Sequence, residues 1–264
     1  MDEFTTAREG PVVVVTLDHP NVGNALTRDA AAALADLFDG ISAAEGDVRA
    51  VLLRAEGRQF CTGADLSGGG RGGGDRPVNG HMVRGLARSH HRLVASVFDC
   101  RVPVVAAVQG MAMGAGLHLA LATDLVVAGD LARFKDPFTD RGFSVDSGGS
   151  WLLPRLVGLS RAKQFLYLGS ELDAATALGW GLVAEVVPAA DLDAAARARA
   201  DALAARPTQA LAATKRLLHD SYRVDLAHAM HAEAMAVELT LRSNDFKEGM
   251  TAFAQKRPTE FTGT

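Results

Sequence analysis

The sequence predicts an α/β protein, with strands and helices alternating over residues 1–190 and helices alone over 191–264. Three observations carry this reading. The runs Val12–Leu17, Val48–Leu53 and Val104–Val108 are short, β-branched and almost wholly apolar, as strands buried on both faces are. Helix-spaced apolar residues, Leu34, Leu37, Phe38 and Ile41 among them, fall between those runs. From Asp173 the spacing stays helical, interrupted by one short strand at Ala184–Val187. At 264 residues the chain is near the upper size for one hydrophobic core. Residues 1–190 are therefore expected to form the core that carries the site, and 191–264 a helical appendage.

In chain order, residues 3–8 and 12–17 flank Glu9-Gly10-Pro11 and read as a hairpin. His19–Asn24 is a turn cluster, and Thr27 is a natural N-cap for an alanine-rich helix running to Ala44. Val48–Leu53 is the third strand. Ser67–Gly80 holds seven glycines and reads as a loop; no Gly-Lys-Ser/Thr closes it, so it is not a phosphate-binding P-loop. Residues 81–99 read as one helix with Val83, Leu86, His90, Leu93, Val94 and Val97 on its apolar side. Leu125–Ala128 is a strand, 133–141 is irregular, and helices are expected over 151–157 and 160–168. Helices then cover 173–179, 191–205, 208–222, 225–241 and 243–255. The sustained apolar content of 226–241 suits packing within the chain or across a subunit boundary.

Bulk properties exclude several classes. A net charge of −4 offers no electrostatic footprint for nucleic acid or an acidic membrane surface. Cys61 and Cys100 cannot make a disulfide framework, and no Cys/His spacing suits a metal. The N-terminal MDEFTTAREG is acidic and polar, unlike a signal peptide. No apolar run reaches the roughly 20 residues that span a bilayer. A cytoplasmic location is the expectation.

The chemistry centres on Pro103–Asp124, PVVAAVQGMAMGAGLHLALATD. A buried strand feeds Gly110, Gly114 and Gly116 and then an apolar helix from Leu117. Such a joint aims unpaired backbone N–H groups at one point, a place to hold an oxygen carrying negative charge. It equally suits plain close packing of a strand on a helix. A dinucleotide fold is disfavoured because Leu119 stands where the third glycine would be.

Asn24-Ala25-Leu26, Phe60–Leu66 (FCTGADL), the 103–124 stretch and Trp151–Gly158 (WLLPRLVG) together resemble the crotonase family, also called enoyl-CoA hydratase/isomerase. The resemblance covers nearly the whole chain. It implies a spiral of ββα units ending in a helical C-terminal trimerisation region, a homotrimer or dimer of trimers. It also implies an acyl-CoA thioester substrate, with no cofactor beyond the coenzyme A which that substrate carries. By position, the N–H groups of Ala64 and Ala115 would hold the thioester oxygen. Two preorganised donors in a dry site are worth roughly 3 kcal/mol each toward an enolate.

The departures from the family matter as much. The resemblance places the two glutamates of a hydratase at His118 and Phe138, and neither is present. Asp146, in GFSVDSGGSWLLPRLVG, stands where several non-hydratase branches keep their acid, and the local text is most similar to epoxyphenylacetyl-CoA and related enoyl-CoA isomerases. One carboxylate suffices for an isomerase, because it can take a proton from one carbon and return it to another. Asp146 could instead cap the helix that follows. His91 matches a histidine of the aryl-CoA dehalogenase branch, where the aspartate is a nucleophile, so that chemistry stays open. Adjacent His90 and His91 could equally be one packed and one exposed histidine. His118 could replace a missing glutamate as an acid or bond a buried neighbour. The resemblance also implies CoA contacts from Asn21, Asp65, Leu66, Phe253 and Lys256, and an acyl pocket bounded by Phe138 and Trp151. A non-catalytic acyl-CoA binder is the remaining alternative.

Overall fold

The computed structural model describes residues 3–44, 47–65 and 79–264. Leu66 and most of the glycine-rich loop expected at 67–80 lie outside them. The chain opens with the expected hairpin, β1 (Phe4–Glu9) pairing antiparallel with β2 (Val12–Leu17). Thr27 caps α1 (Arg28–Ala43), its Oγ1 accepting from the Ala30 N–H at 3.1 Å. The alternating part continues through β3 (Ala50–Ala55), α2 (His81–Ala87), α3 (His90–Phe98), β4 (Val104–Val108), β5 (Met111–Met113) and α4 (Ala115–Leu121). Then come β6 (Leu125–Gly129), β7 (Arg133–Lys135), α5 (Gly149–Val157), α6 (Leu159–Leu168), β8 (Glu171–Asp173), α7 (Ala174–Trp180) and β9 (Glu185–Val187). Four helices close the chain: α8 (Leu192–Ala204), α9 (Thr208–Asp220), α10 (Leu226–Thr240) and α11 (Asn244–Gln255).

The strands form two sheets. A six-stranded sheet has the order β1-β2-β3-β4-β6-β9, parallel everywhere except β1·β2, and a small sheet has the order β5-β7-β8. The chain spirals between them, leaving β4 in the large sheet and β5 in the small one, then β6 and β7 likewise. Single bridges Leu26·Ala64 and Cys61·Ala112 carry the small sheet's path back through the earlier turns. This is the expected α/β spiral of ββα units.

Alternation along the strands divides the core. Val15, Leu17, Val51, Leu53, Val104, Ala106 and Val108 face α1, α3 and α4, whereas Val12, Val14, Ala50, Leu52, Val105 and Ala107 face α8. α8 meets them with Leu192, Ala196, Ala200 and Ala204, one residue per turn. It therefore lies on the sheet, although the expected division at 190/191 groups it with the C-terminal helices. α10 buries none of its residues and exposes Leu226, Met230, Met235, Val237 and Leu239.

Elsewhere the structure departs from expectation in local ways. Residues 81–99 are two helices, not one. They part at Arg88-Ser89, where Ser89 leaves helical geometry and its hydroxyl donates to the Gly85 carbonyl at 2.8 Å. Val83 is consequently exposed while Leu93, Val94 and Val97 are buried. The third strand begins at Ala50 rather than Val48, because its parallel partner β2 begins at Val12, which stands opposite Ala50. β5, β7 and β8 are each three residues long, too short to show a period in sequence.

Candidate active site

The two segments expected to hold an oxyanion are brought together beside the small sheet by the single bridges Leu26·Ala64 and Cys61·Ala112. Leu26 donates to the Gly63 carbonyl and accepts from the Asp65 N–H, both at 2.8 Å. In a parallel bridge of this pattern the central residue, Ala64, turns its own N–H away from the partner. Across the other side, Cys61 donates to the Met111 carbonyl at 3.1 Å and accepts from Met113 at 2.9 Å. A Cβ on Gly63 would lie 2.9 Å from the Met113 carbonyl oxygen and 3.6 Å from the Ala115 nitrogen, so bare glycine permits this approach. Ala115 opens α4, where N–H groups have no partner within the helix. Among the described residues no hydrogen-bond acceptor is assigned to the N–H of Ala64 or Ala115.

Asn24 anchors this wall. Fully buried, it accepts from the His19 N–H and donates to the Glu56 and Gln59 carbonyls at 2.8–2.9 Å. The Cys61 thiol donates to the Asn24 carbonyl at 3.1 Å, and burial pushes that thiol up to about 12. Cys61 is thus a packed, inert residue.

Phe138 lies over the start of α4, its ring 3.4 Å from where a Gly114 Cβ would sit. It contacts Phe143, with ring centroids 5.1 Å apart, and His118, with centroids 5.9 Å apart. His118 is wholly buried beneath it, with Nε2 3.1 Å from Asp136 Oδ2. That is a close polar approach without hydrogen-bond alignment, and Nδ1 of the same ring has no hydrogen-bond partner among the described residues. Asp136 is as buried as its partner, and its Oδ1 accepts from the Phe138 N–H at 3.2 Å.

Asp146 and His91 meet. His91 Nε2 and Asp146 Oδ1 are hydrogen-bonded, and the same oxygen accepts from the Ser147 N–H at 2.6 Å. Oδ2 has no assigned partner among the described residues, and the Asp146 side chain keeps 24% of its surface open. Asp146 does not cap α5 with its carboxylate; Gly148 occupies the N-cap position and no side chain bonds there. Ser147, buried, sits at φ 50°, a conformation unusual for a residue with a side chain. His90 and His91 divide as expected. His90 is buried, 3.2 Å from the Leu26 carbonyl through Nε2, and burial holds it below its ordinary value of 6.5.

The remaining expected residues lie apart from this cluster. Asn21 is exposed in a short 3-10 turn, Asp65 adjoins Ala64, and Leu66 is outside the described residues. Phe253 and Lys256 are exposed at the end of α11. Trp151 packs edge-on to Phe98 at 5.2 Å, with Arg155 stacked 3.9 Å over its ring, and shares no ring contact with Phe138. Sequence reasoning missed Asp136 and Ser147. An Asp before Pro137 resembles any turn residue, and a positive φ at serine leaves no signal in sequence. Among the described residues no three His, Cys, Asp or Glu side chains gather as a metal site would, and no helix is long and apolar enough to cross a membrane.

Known proteins similar to this chain share its fold and point to one family. Residues 7–264 match the family described as enoyl-CoA hydratase/isomerase. The chain is 40% identical to a protein of Rhodobacter capsulatus described as a probable enoyl-CoA hydratase, over 96% of this chain and 95% of that one. It is 35% identical to the 1,2-epoxyphenylacetyl-CoA isomerase of Escherichia coli over the full length of both. The crystal structure of an enoyl-CoA hydratase from Bacillus anthracis superposes with a TM-score of 0.91 at 29% identity, covering 99% of this chain and 100% of that one. A chain with this spiral, these juxtaposed backbone segments and these relatives belongs to the enoyl-CoA hydratase/isomerase, or crotonase, family.

Proposed function

We propose that this family member is an isomerase of unsaturated or epoxidised acyl-CoA thioesters, working through the single carboxylate of Asp146. The observation that carries the reading is the His91–Asp146 hydrogen bond, which fixes one oxygen of the carboxylate and leaves the other open. For an enoyl thioester, Oδ2 takes a proton from the carbon beside the carbonyl. The C–H electron pair passes into an enolate whose oxygen is held by the N–H groups of Ala64 and Ala115. Asp146 then returns the proton to a carbon further along the chain, and the double bond shifts with no net oxidation.

Water addition by the two-glutamate route is disfavoured because His118 and Phe138 occupy the matching positions. Several relatives are nonetheless named hydratases, so product identity decides the point. Proton transfer of this kind calls for no cofactor beyond the substrate's own coenzyme A. Asp65 would line the adenine end, and Asn21 would stand where the family's lysine meets a CoA phosphate. The exposed Phe253 and Lys256 would reach the CoA of a neighbouring subunit. A homotrimer or dimer of trimers is supported by the uncovered apolar residues of α10 and α11, and a cytoplasmic location by two free, buried thiols.

The test is a panel of 3-enoyl, 2-enoyl, dienoyl, epoxy and aryl-halide CoA thioesters with product identification, run on the protein and on Asp146→Asn. A shifted double bond or rearranged epoxide in the first and a loss of about 100-fold or more in the second is expected. Full activity in Asp146→Asn removes the residue from the mechanism, and CoA binding without turnover by either protein makes the chain a binder. The His91–Asp146 contact also suits a second reading, in which Asp146 attacks an aryl-CoA halide and an ester forms as halide leaves. Single-turnover mixing followed by mass spectrometry detects that ester if it forms.

A further inference from the structure

We propose that the buried pair His118–Asp136 is a positioning unit that sets where the Asp146 carboxylate stands relative to the Ala115 N–H. The inference rests on the reading of Asp146 as the proton carrier. It assigns His118 a role other than direct acid catalysis, since the ring is wholly enclosed.

Three chain segments meet at this pair. The first is the opening turn of α4: His118 lies one turn after Ala115, and its N–H donates to the Gly114 carbonyl at 3.0 Å. The second is the turn that carries Phe138, whose N–H is held by Asp136 Oδ1 at 3.2 Å. The third is the turn that carries Asp146. A Cβ on Gly149 would fall 2.3 Å from His118 Nε2, so the imidazole edge presses directly on the glycine backbone. The Gly149 N–H in turn donates to the Asp146 carbonyl at 3.1 Å. The chain thus runs from oxyanion donor to imidazole, from imidazole to the 146–149 turn, and from that turn to the carboxylate.

A buried imidazole nitrogen and carboxylate oxygen 3.1 Å apart, away from water, resist being separated further, because neither has another polar group to turn to. The pair therefore fixes a separation rather than supplying a reactive group. Placement errors near 1 Å can cost about 100-fold in rate, which is the sensitivity such a brace protects against.

The experiment compares Asp136→Asn, His118→Asn and the apolar pair His118→Leu with Asp136→Val against the unaltered protein. Steady-state kinetics and the NMR signals of the His91 imidazole are measured for each. We expect kcat to fall about 10- to 100-fold with KM within about twofold. The His91 signals should move toward those of Asp146→Asn, because a displaced carboxylate weakens that hydrogen bond. The apolar pair keeps packing without a stranded polar group and provides the reading if the single variants fail to fold. A folded variant with unaltered kcat and unaltered His91 signals overturns the proposal, as does a rise in KM alone. Full turnover by Asp146→Asn would sink the proton-carrier reading instead, and the His91 signals would still report whether the pair positions residue 146.

Discussion

His91 and Asp146 are 55 residues apart in the chain and share one hydrogen bond, Nε2 to Oδ1, between the start of α3 and the turn before α5. The imidazole holds the carboxylate on the side away from its free oxygen. His91→Leu should therefore lower kcat by about 10- to 100-fold while leaving CoA thioester affinity nearly unchanged. His91→Gln, which keeps an N–H donor, should retain more activity than His91→Leu. Equal activity in all three proteins would show that the bond has no mechanistic weight.

Gly116 is pressed against Cys61. A methyl group there would lie 2.3 Å from the Cys61 carbonyl oxygen and 2.6 Å from its sulfur. Backbone cannot swing aside as a flexible side chain can, so Gly116→Ala should destabilise by about 3 kcal/mol. Gly179, exposed in α7 with nothing within 4 Å of its added Cβ, is the opposite case. Gly179→Ala should stabilise by about 0.5–1 kcal/mol through helix propensity. Urea unfolding of both variants checks the pair of signs.

His90 makes stability depend on pH. Burial keeps its imidazole neutral in the folded protein below its ordinary 6.5, and His219 is lowered in the same direction by burial and by Lys215. The unfolded chain takes up protons as pH falls through 6.5 before the folded chain does. Their contribution is thus complete above 6.5 and is lost as pH falls from there toward the lowered folded values. Denaturation measured on either side of that value should show weaker stability on the acid side, and His90→Asn should narrow the difference.

Cys61 and Cys100 are both buried, and burial raises both thiols. The reactive form is the thiolate, so neither should be alkylated in the native protein, and both should react once it unfolds. Rapid native labelling at Cys61, beside the oxyanion segments, would contradict the packing described for it.

Much of this architecture was legible in the chain. Buried strands such as Val104–Val108 and capped helices such as that after Thr27 declare themselves through local composition, because burial and capping act within a few residues. The crowded glycines of the 103–124 stretch also signalled close packing, which Gly116 shows against Cys61. β5, β7 and β8 exist only through pairing with strands far away in sequence, so nothing local announces them. The break at Ser89 likewise depends on which face of each helix the core accepts. The same limit applies to chemistry. His91, Asp146, His118 and Asp136 are ordinary residue types at their own positions, and only the folding of α3, α4 and two turns onto one another pairs them. Ionisable groups act through distance and enclosure, which a linear order of residues does not contain.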